Sequence, residues 1–115
     1  MIPFLDLRAS YVELNDEIQN SVLRQLDSGV YILGTEVELF ESEFANFCGT
    51  DHCVGVGNGL DALILALKAL DIGPGDEVIV PSNTYIATWL AVSIVGATPV
   101  PVEPLLSSYC IDPAL

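Results

Sequence analysis

A chain of 115 residues that is 51% hydrophobic has room for one domain and the apolar content to build a core. Three Lys+Arg against sixteen Asp+Glu give a formal net charge of -13, which repels nucleic-acid backbones and anionic membrane surfaces, so neither is expected as a partner. Cys48, Cys53 and Cys110 are odd in number and scattered. They suggest neither a disulfide framework nor a metal site, and read as buried thiols of a reducing cytoplasm.

The start of the chain reaches Asp6 without a basic segment, so no signal peptide is expected there, and Ile2-Pro3-Phe4-Leu5 reads as an apolar lead-in that lies against other structure. Tyr11, Leu14, Ile18, Val22 and Leu26 recur at helical spacing with Glu13, Asp16 and Glu17 between them, which predicts one amphipathic helix over Ser10 to Leu26, ended by Ser28-Gly29. After the short apolar segment Val30-Tyr31-Ile32-Leu33-Gly34, Thr35 with Glu38 three residues on reads as a capping box. Val37, Phe40, Phe44 and Phe47 then form one face of a helix closed by Gly49, and this stripe is expected to be core.

Cys53-Val54-Gly55-Val56 is short, apolar and bounded by turn signals, which predicts a buried strand. It runs through Gly57-Asn58-Gly59 into the apolar helical run Leu60 to Leu70. Asn58 offers its side-chain oxygen to the free amides of the first turn, and Asp61 adds negative charge beside the positive helix end. The glycines leave backbone N–H groups bare, so strand, turn and helix start make an anion site of the kind that takes a phosphate. A plain efficient turn has the same pattern, and the ligand therefore has to be argued. A dinucleotide fingerprint counted from Gly55 and Gly57 needs a third glycine where Leu60 stands, and no Gly-Lys-Ser/Thr follows for a P-loop. What remains is a phosphate held without a dinucleotide.

Gly73-Pro74-Gly75-Asp76 resets the chain before a second strand, Glu77 to Val80, and a third, Pro99 to Val102, follows a helix over Tyr85 to Val95 that Gly96 ends. Val78 to Val102 carries no charge, yet Asn83, Gly96, Pro99 and Pro101 divide it into strand, helix and strand rather than a membrane span. Helices between the strands make them parallel with right-handed crossovers, so the loops after them leave one carboxyl edge, where open α/β sheets bind ligands. Tyr85 in the second loop can lie beside whatever the first loop holds. The expected fold class is α/β, a βαβαβ parallel sheet preceded by two helices.

Taken in order, Val30-Tyr31-Ile32-Leu33-Gly34 with Glu36-Val37 and Phe40-Glu41, then Gly57-Asn58-Gly59-Leu60-Asp61-Ala62-Leu63, then Gly73-Pro74-Gly75-Asp76-Glu77-Val78-Ile79-Val80-Pro81, then Gly96-Ala97-Thr98-Pro99-Val100, resemble the DegT/DnrJ/StrS family of PLP-dependent sugar aminotransferases. The resemblance covers nearly the whole chain, and Asn58 to Leu63 with Pro81-Ser82-Asn83-Thr84-Tyr85-Ile86-Ala87-Thr88-Trp89 looks most like the branch that aminates 3-keto deoxyhexoses carried on dTDP. It implies the first part of an aspartate-aminotransferase-like (type I) large domain. Residues 1–115 then form a single incomplete domain, with 1–51 an N-terminal helical segment and 52–115 the first part of the PLP-binding domain. The implied reaction moves an amino group from glutamate to a nucleotide-linked keto sugar, dTDP-3-keto-6-deoxyhexose for this branch, in a cytoplasmic homodimer whose active sites lie between subunits. The implied cofactor contacts are Gly59, Leu60 and Asp61 on the pyridoxal 5'-phosphate phosphate and Tyr85 on its ring. Family members usually have Ser-Gly-Thr where Asn58-Gly59-Leu60 stands, so a hydroxyl contact is missing.

No catalytic residue is expected among these 115. The chemistry needs a Schiff-base lysine and an acid that pairs with the ring nitrogen, and in the family both lie beyond the last of these residues. Lys68, the single lysine, stands seven residues past Asp61, about 10 Å along a helix axis. It reads as a solvated lysine near Asp61 and Asp71, and His52 falls at the wrong edge of the sheet for catalysis. The isolated chain is therefore expected to be inactive and poorly soluble, with a non-enzymatic remnant or interaction module of the same family as the alternative.

Overall fold

A computed structural model describes residues 4–115; of the lead-in, Ile2-Pro3 lies outside the described residues, and Phe4 and Leu5 are exposed rather than packed against other described structure. The chain divides into two compact units at the Gly55–Val56 bond.

The first unit is helical: α1 spans Leu7–Glu13, α2 Asn15–Ser28 and α3 Thr35–Cys48. The single helix expected over Ser10 to Leu26 is broken at Leu14 (φ −107°, ψ 19°), which closes α1 and caps α2. The apolar period runs through the break because the Leu14 N–H still reaches the Ser10 carbonyl (3.2 Å) and the Ile18 N–H the Leu14 carbonyl (3.0 Å), both four residues back. Gly29 ends α2 and Gly49 ends α3, each at φ 68°, a left-handed conformation that costs glycine little.

Two expectations for this unit are corrected. Thr35 is not a cap: the helix starts one residue earlier on Gly34, whose carbonyl takes the Val37 and Glu38 amides, and no side chain caps it. Nor is the phenylalanine stripe core. Phe44 stacks on Phe40 (ring centroids 5.5 Å apart) and meets Phe47 tilted (6.2 Å), but Phe40, Phe44 and Phe47 remain 54%, 45% and 86% exposed. Of α3 only Ala45 is buried.

The second unit holds α4 (Gly59–Ala69), β1 (Glu77–Pro81), α5 (Ile86–Ile94) and β2 (Thr98–Val102). β1 and β2 pair in parallel with Ile79 opposite Val100, α5 forming the crossover between them. The Thr98 N–H donates to the Asp76 carbonyl and the Ser82 N–H to the Val102 carbonyl, both at 2.9 Å, so even-numbered residues of β2 face β1. Pro99 and Pro101 therefore point their missing donors away from β1, as suits an edge strand. The core is Val80, Val92, Val95 and Ala97, with Ile64, Leu67, Ile72, Val78 and Trp89 packed against it.

Helix ends in this unit follow the backbone rules closely. Asp71, at φ 57°, takes the left-handed position after α4 and lets the Ile72 N–H return to the Leu67 carbonyl (3.0 Å). Gly96 (φ 85°) does the same after α5, and a Cβ there would stand 3.0 Å from Pro74 Cγ. The fold is α/β as expected, but its first strand is not formed: residues 53–56 belong to no ladder among the described residues, and Val54 is 74% exposed. A strand exists only through its partners, and the Gly55 N–H instead donates to Glu41 Oε1 at 2.6 Å. The thiols are corrected too, with Cys48 and Cys110 exposed and Cys53 half-buried.

Candidate functional site

The start of α4 is built by Asn58. Its extended backbone (φ −167°, ψ 174°) places the side-chain oxygen 2.9 Å from the Asp61 N–H, satisfying one of the donors a helix leaves free in its first turn. Its Nδ2 also donates to Asp61 Oδ2 at 2.9 Å. The two residues clasp each other through both ends of the Asn58 amide. A Cβ at Gly57 would fall 3.0 Å from the same carboxylate oxygen, so a side chain there would press on the Asp61 carboxylate. At Gly59 a Cβ would meet nothing within 4 Å, so that glycine leaves open space beside its N–H. With the Asp61 amide taken, the N–H groups of Gly59 and Leu60 are the donors of this turn that meet no acceptor among the described residues.

Tyr85 caps α5 in an extended conformation (φ −66°, ψ 142°), one residue before the helix expected to include it begins. Its ring is 80% exposed and makes no hydrogen bond among the described residues.

A cleft of about 560 Å³ joins the two helix starts, lined by Asn58, Gly59 and Leu60 on one side and by Tyr85, Ile86 and Thr88 on the other. Its size lies within the range of small-molecule sites. Leu63, Ala87 and Leu90 complete the wall, so the cleft is apolar apart from bare amides, one carboxamide and two hydroxyls. No Lys or Arg lines it. Such a wall offers main-chain donors and the positive end of α4 to an anion, and an aromatic face to a flat ring.

Of the four residues singled out from the sequence, Gly59, Leu60 and Tyr85 line this cleft, and Asp61 stands in the same turn with its amide given to Asn58. Lys68 is exposed in the last turn of α4, at the opposite end from Gly59. His52 is exposed in the loop after α3. Sequence reasoning missed Thr88, whose hydroxyl bonds the Thr84 hydroxyl at 3.1 Å in a partly buried position. Two threonines four apart across a helix start were the available signal.

Residues 12–115 match the DegT/DnrJ/EryC1/StrS aminotransferase family. The chain is 63% identical over 114 residues to dTDP-3-amino-3,4,6-trideoxy-alpha-D-glucose transaminase of Streptomyces venezuelae, covering 99% of this chain and 30% of that protein. It is 61% identical over 113 residues to dTDP-3-amino-3,6-dideoxy-alpha-D-galactopyranose transaminase of Aneurinibacillus thermoaerophilus, covering 98% and 31%. Among solved structures, that of DesV from S. venezuelae in complex with a ketimine intermediate superposes with a TM-score of 0.95 at 63% identity, over 99% of this chain and 31% of that one. NtdA from Bacillus subtilis with bound cofactor PMP superposes with a TM-score of 0.87 at 32% identity, over 98% and 26%. The chain thus spans about 30% of the length of these curated relatives. Agreement in sequence and in fold along nearly its whole length gives one conclusion: this chain belongs to the DegT/DnrJ/EryC1/StrS aminotransferase family.

Proposed function

We propose that the cleft between the starts of α4 and α5 receives pyridoxal 5'-phosphate, and that the chain forms the N-terminal part of an aminotransferase. In this reading the amides of Gly59 and Leu60 hold the phosphate, Asp61 completes the turn through its bond to Asn58, and Tyr85 lies against the pyridine ring. The observation that carries the reading is that unpaired amides and an unpaired aromatic ring line one cleft of about 560 Å³. The open space at Gly59 fits a phosphate approaching the main chain, and the apolar wall fits a flat heterocycle.

When bound, the cofactor supplies an electron sink for the exchange of an amino group. The residues of this chain bind and orient it. The helix positive end and two amides favour the phosphate's charge, while Tyr85 excludes water from one ring face. No Lys or Arg lines the cleft, so in this reading its residues bind and orient the cofactor and do not supply a Schiff-base lysine.

The names of the similar proteins, transaminases of dTDP-3-amino sugars, support a dTDP-linked keto sugar as acceptor. The finer choice of dTDP-3-keto-6-deoxyhexose as acceptor and glutamate as donor belongs to the same proposal. A cytoplasmic homodimer is part of the same proposal. Among the described residues no helix is long and apolar enough to cross a membrane. The test is amino transfer by the full-length protein from glutamate to dTDP-, UDP- and GDP-linked 3-keto sugars, with and without the cofactor. Cofactor-dependent turnover favouring the dTDP sugar is expected. Turnover of a UDP sugar alone would overturn the choice of nucleotide, and none with any sugar would overturn the reaction.

A further inference from the structure

Tyr85 is the most exposed large side chain lining the cleft, and its ring bonds to nothing among the described residues. Where the ring lies is then set by the backbone that carries it. Thr88 holds that stretch twice, once at the Tyr85 backbone and once at the side chain of the residue before it. The Thr88 N–H donates to the Tyr85 carbonyl at 3.0 Å, and the Thr88 hydroxyl bonds the hydroxyl of Thr84, the residue just before Tyr85, at 3.1 Å. Thr88 also lines the cleft, and both hydroxyls are partly buried, so losing one leaves the other without its partner.

We propose that Thr88 is a positioning residue that holds Tyr85 against the ring site by tying Thr84 to the first turn of α5. This rests on the ring assignment made above. Valine at 88 keeps the shape and the amide bond but removes the hydroxyl, whereas serine keeps the hydroxyl.

The test uses the full-length protein and two separate probes, pyridoxine for the ring site and inorganic phosphate for the amides of Gly59 and Leu60. Thr88→Val is expected to weaken pyridoxine binding by about three- to tenfold, the worth of one hydrogen bond, and to leave phosphate binding within about twofold. Thr88→Ser is expected to restore the pyridoxine affinity. Tyr85→Ala should weaken pyridoxine binding by itself, and adding Thr88→Val to it should change nothing further. Without any ligand, amide exchange over residues 84–88 should quicken in Thr88→Val and not in Thr88→Ser.

Unchanged pyridoxine binding in Thr88→Val, parallel loss of both probes, failure of serine to restore it, or unchanged exchange over 84–88 would each overturn the proposal. If Tyr85→Ala binds pyridoxine as the parent does, the ring assignment itself fails and the role of Thr88 falls with it.

Discussion

Replacing Asn58 separates two contributions that the start of α4 combines. Asn58→Ala removes the cap on the Asp61 amide and the bond to the Asp61 carboxylate, each 2.9 Å long. Loss of a cap costs about 1 kcal/mol, and a hydrogen bond to a carboxylate adds roughly another 0.5–1 kcal/mol once discounted for the exposed position of Asn58. The sum, about 1.5–2 kcal/mol, corresponds to local opening that is roughly 10- to 30-fold more frequent. Asn58→Asp keeps a good cap and gains about 0.3–1 kcal/mol from the helix end, but sets two carboxylates together at a cost of about 1 kcal/mol at 4 Å in water, besides the lost donor. Its net cost is therefore about 1 kcal/mol. The exchange Asn58→Asp with Asp61→Asn reverses donor and acceptor, and should return to within about 0.5 kcal/mol of the parent. Amide hydrogen exchange at Asp61 in the full-length protein reads this directly. A parent-like rate in Asn58→Ala, or an exchanged pair no better than Asn58→Asp alone, would refute the reasoning.

Gly96→Ala should cost more than 1 kcal/mol in thermal unfolding, because a side chain at φ 85° is strained and its Cβ meets Pro74 Cγ at 3.0 Å; an unchanged melting temperature would contradict this. Val80→Ala, at the largest fully buried side chain, should cost roughly 2 kcal/mol, whereas Ile79→Ala on the same strand, 60% exposed, should cost under half of that. Residues 1–115 expressed alone should show no amino transfer, and borohydride treatment with the cofactor should leave Lys68 without stoichiometric, site-specific label by mass spectrometry. Expressed alone they should also self-associate, since Phe47, Leu106, Ile32 and Leu33 are each more than 80% exposed. A monodisperse, cooperatively melting monomer in sedimentation would contradict that.

Local signals in the sequence were reliable where the backbone itself sets the outcome. Gly29, Gly49 and Gly96 end helices because left-handed positions select glycine, and Asn58 caps α4 because its side chain reaches the next turn without help. β1 and β2 were legible for a related reason: each finds its partner within the same short βαβ unit. Where the outcome depends on partners, the sequence misled. Cys53 to Val56 has strand composition but no ladder partner among the described residues, and Phe40, Phe44 and Phe47 have core periodicity but stay largely exposed beside one another. Thr35 satisfies a capping pattern that the backbone moves to Gly34, since a pattern of side chains does not fix where the first helical residue falls.

The candidate cleft was legible in part for the same reasons. Gly59 and Leu60 could be placed from the turn, and Tyr85 from the carboxyl edge that parallel strands share. The bond from Thr84 to Thr88 was not read from the sequence, although two threonines four apart across a helix start carried the signal. The cap by Asn58 was legible, but not which first-turn amide it takes: it takes that of Asp61, which leaves the amides of Gly59 and Leu60 free.

The most direct measurement is a crystal structure of the full-length protein with pyridoxal 5'-phosphate bound. Phosphate oxygens are expected at hydrogen-bond distance, about 3 Å, from the Gly59 and Leu60 amides, with the Tyr85 ring stacked on the pyridine. A phosphate bound away from the start of α4, or a Tyr85 ring turned out of the cleft, would contradict it.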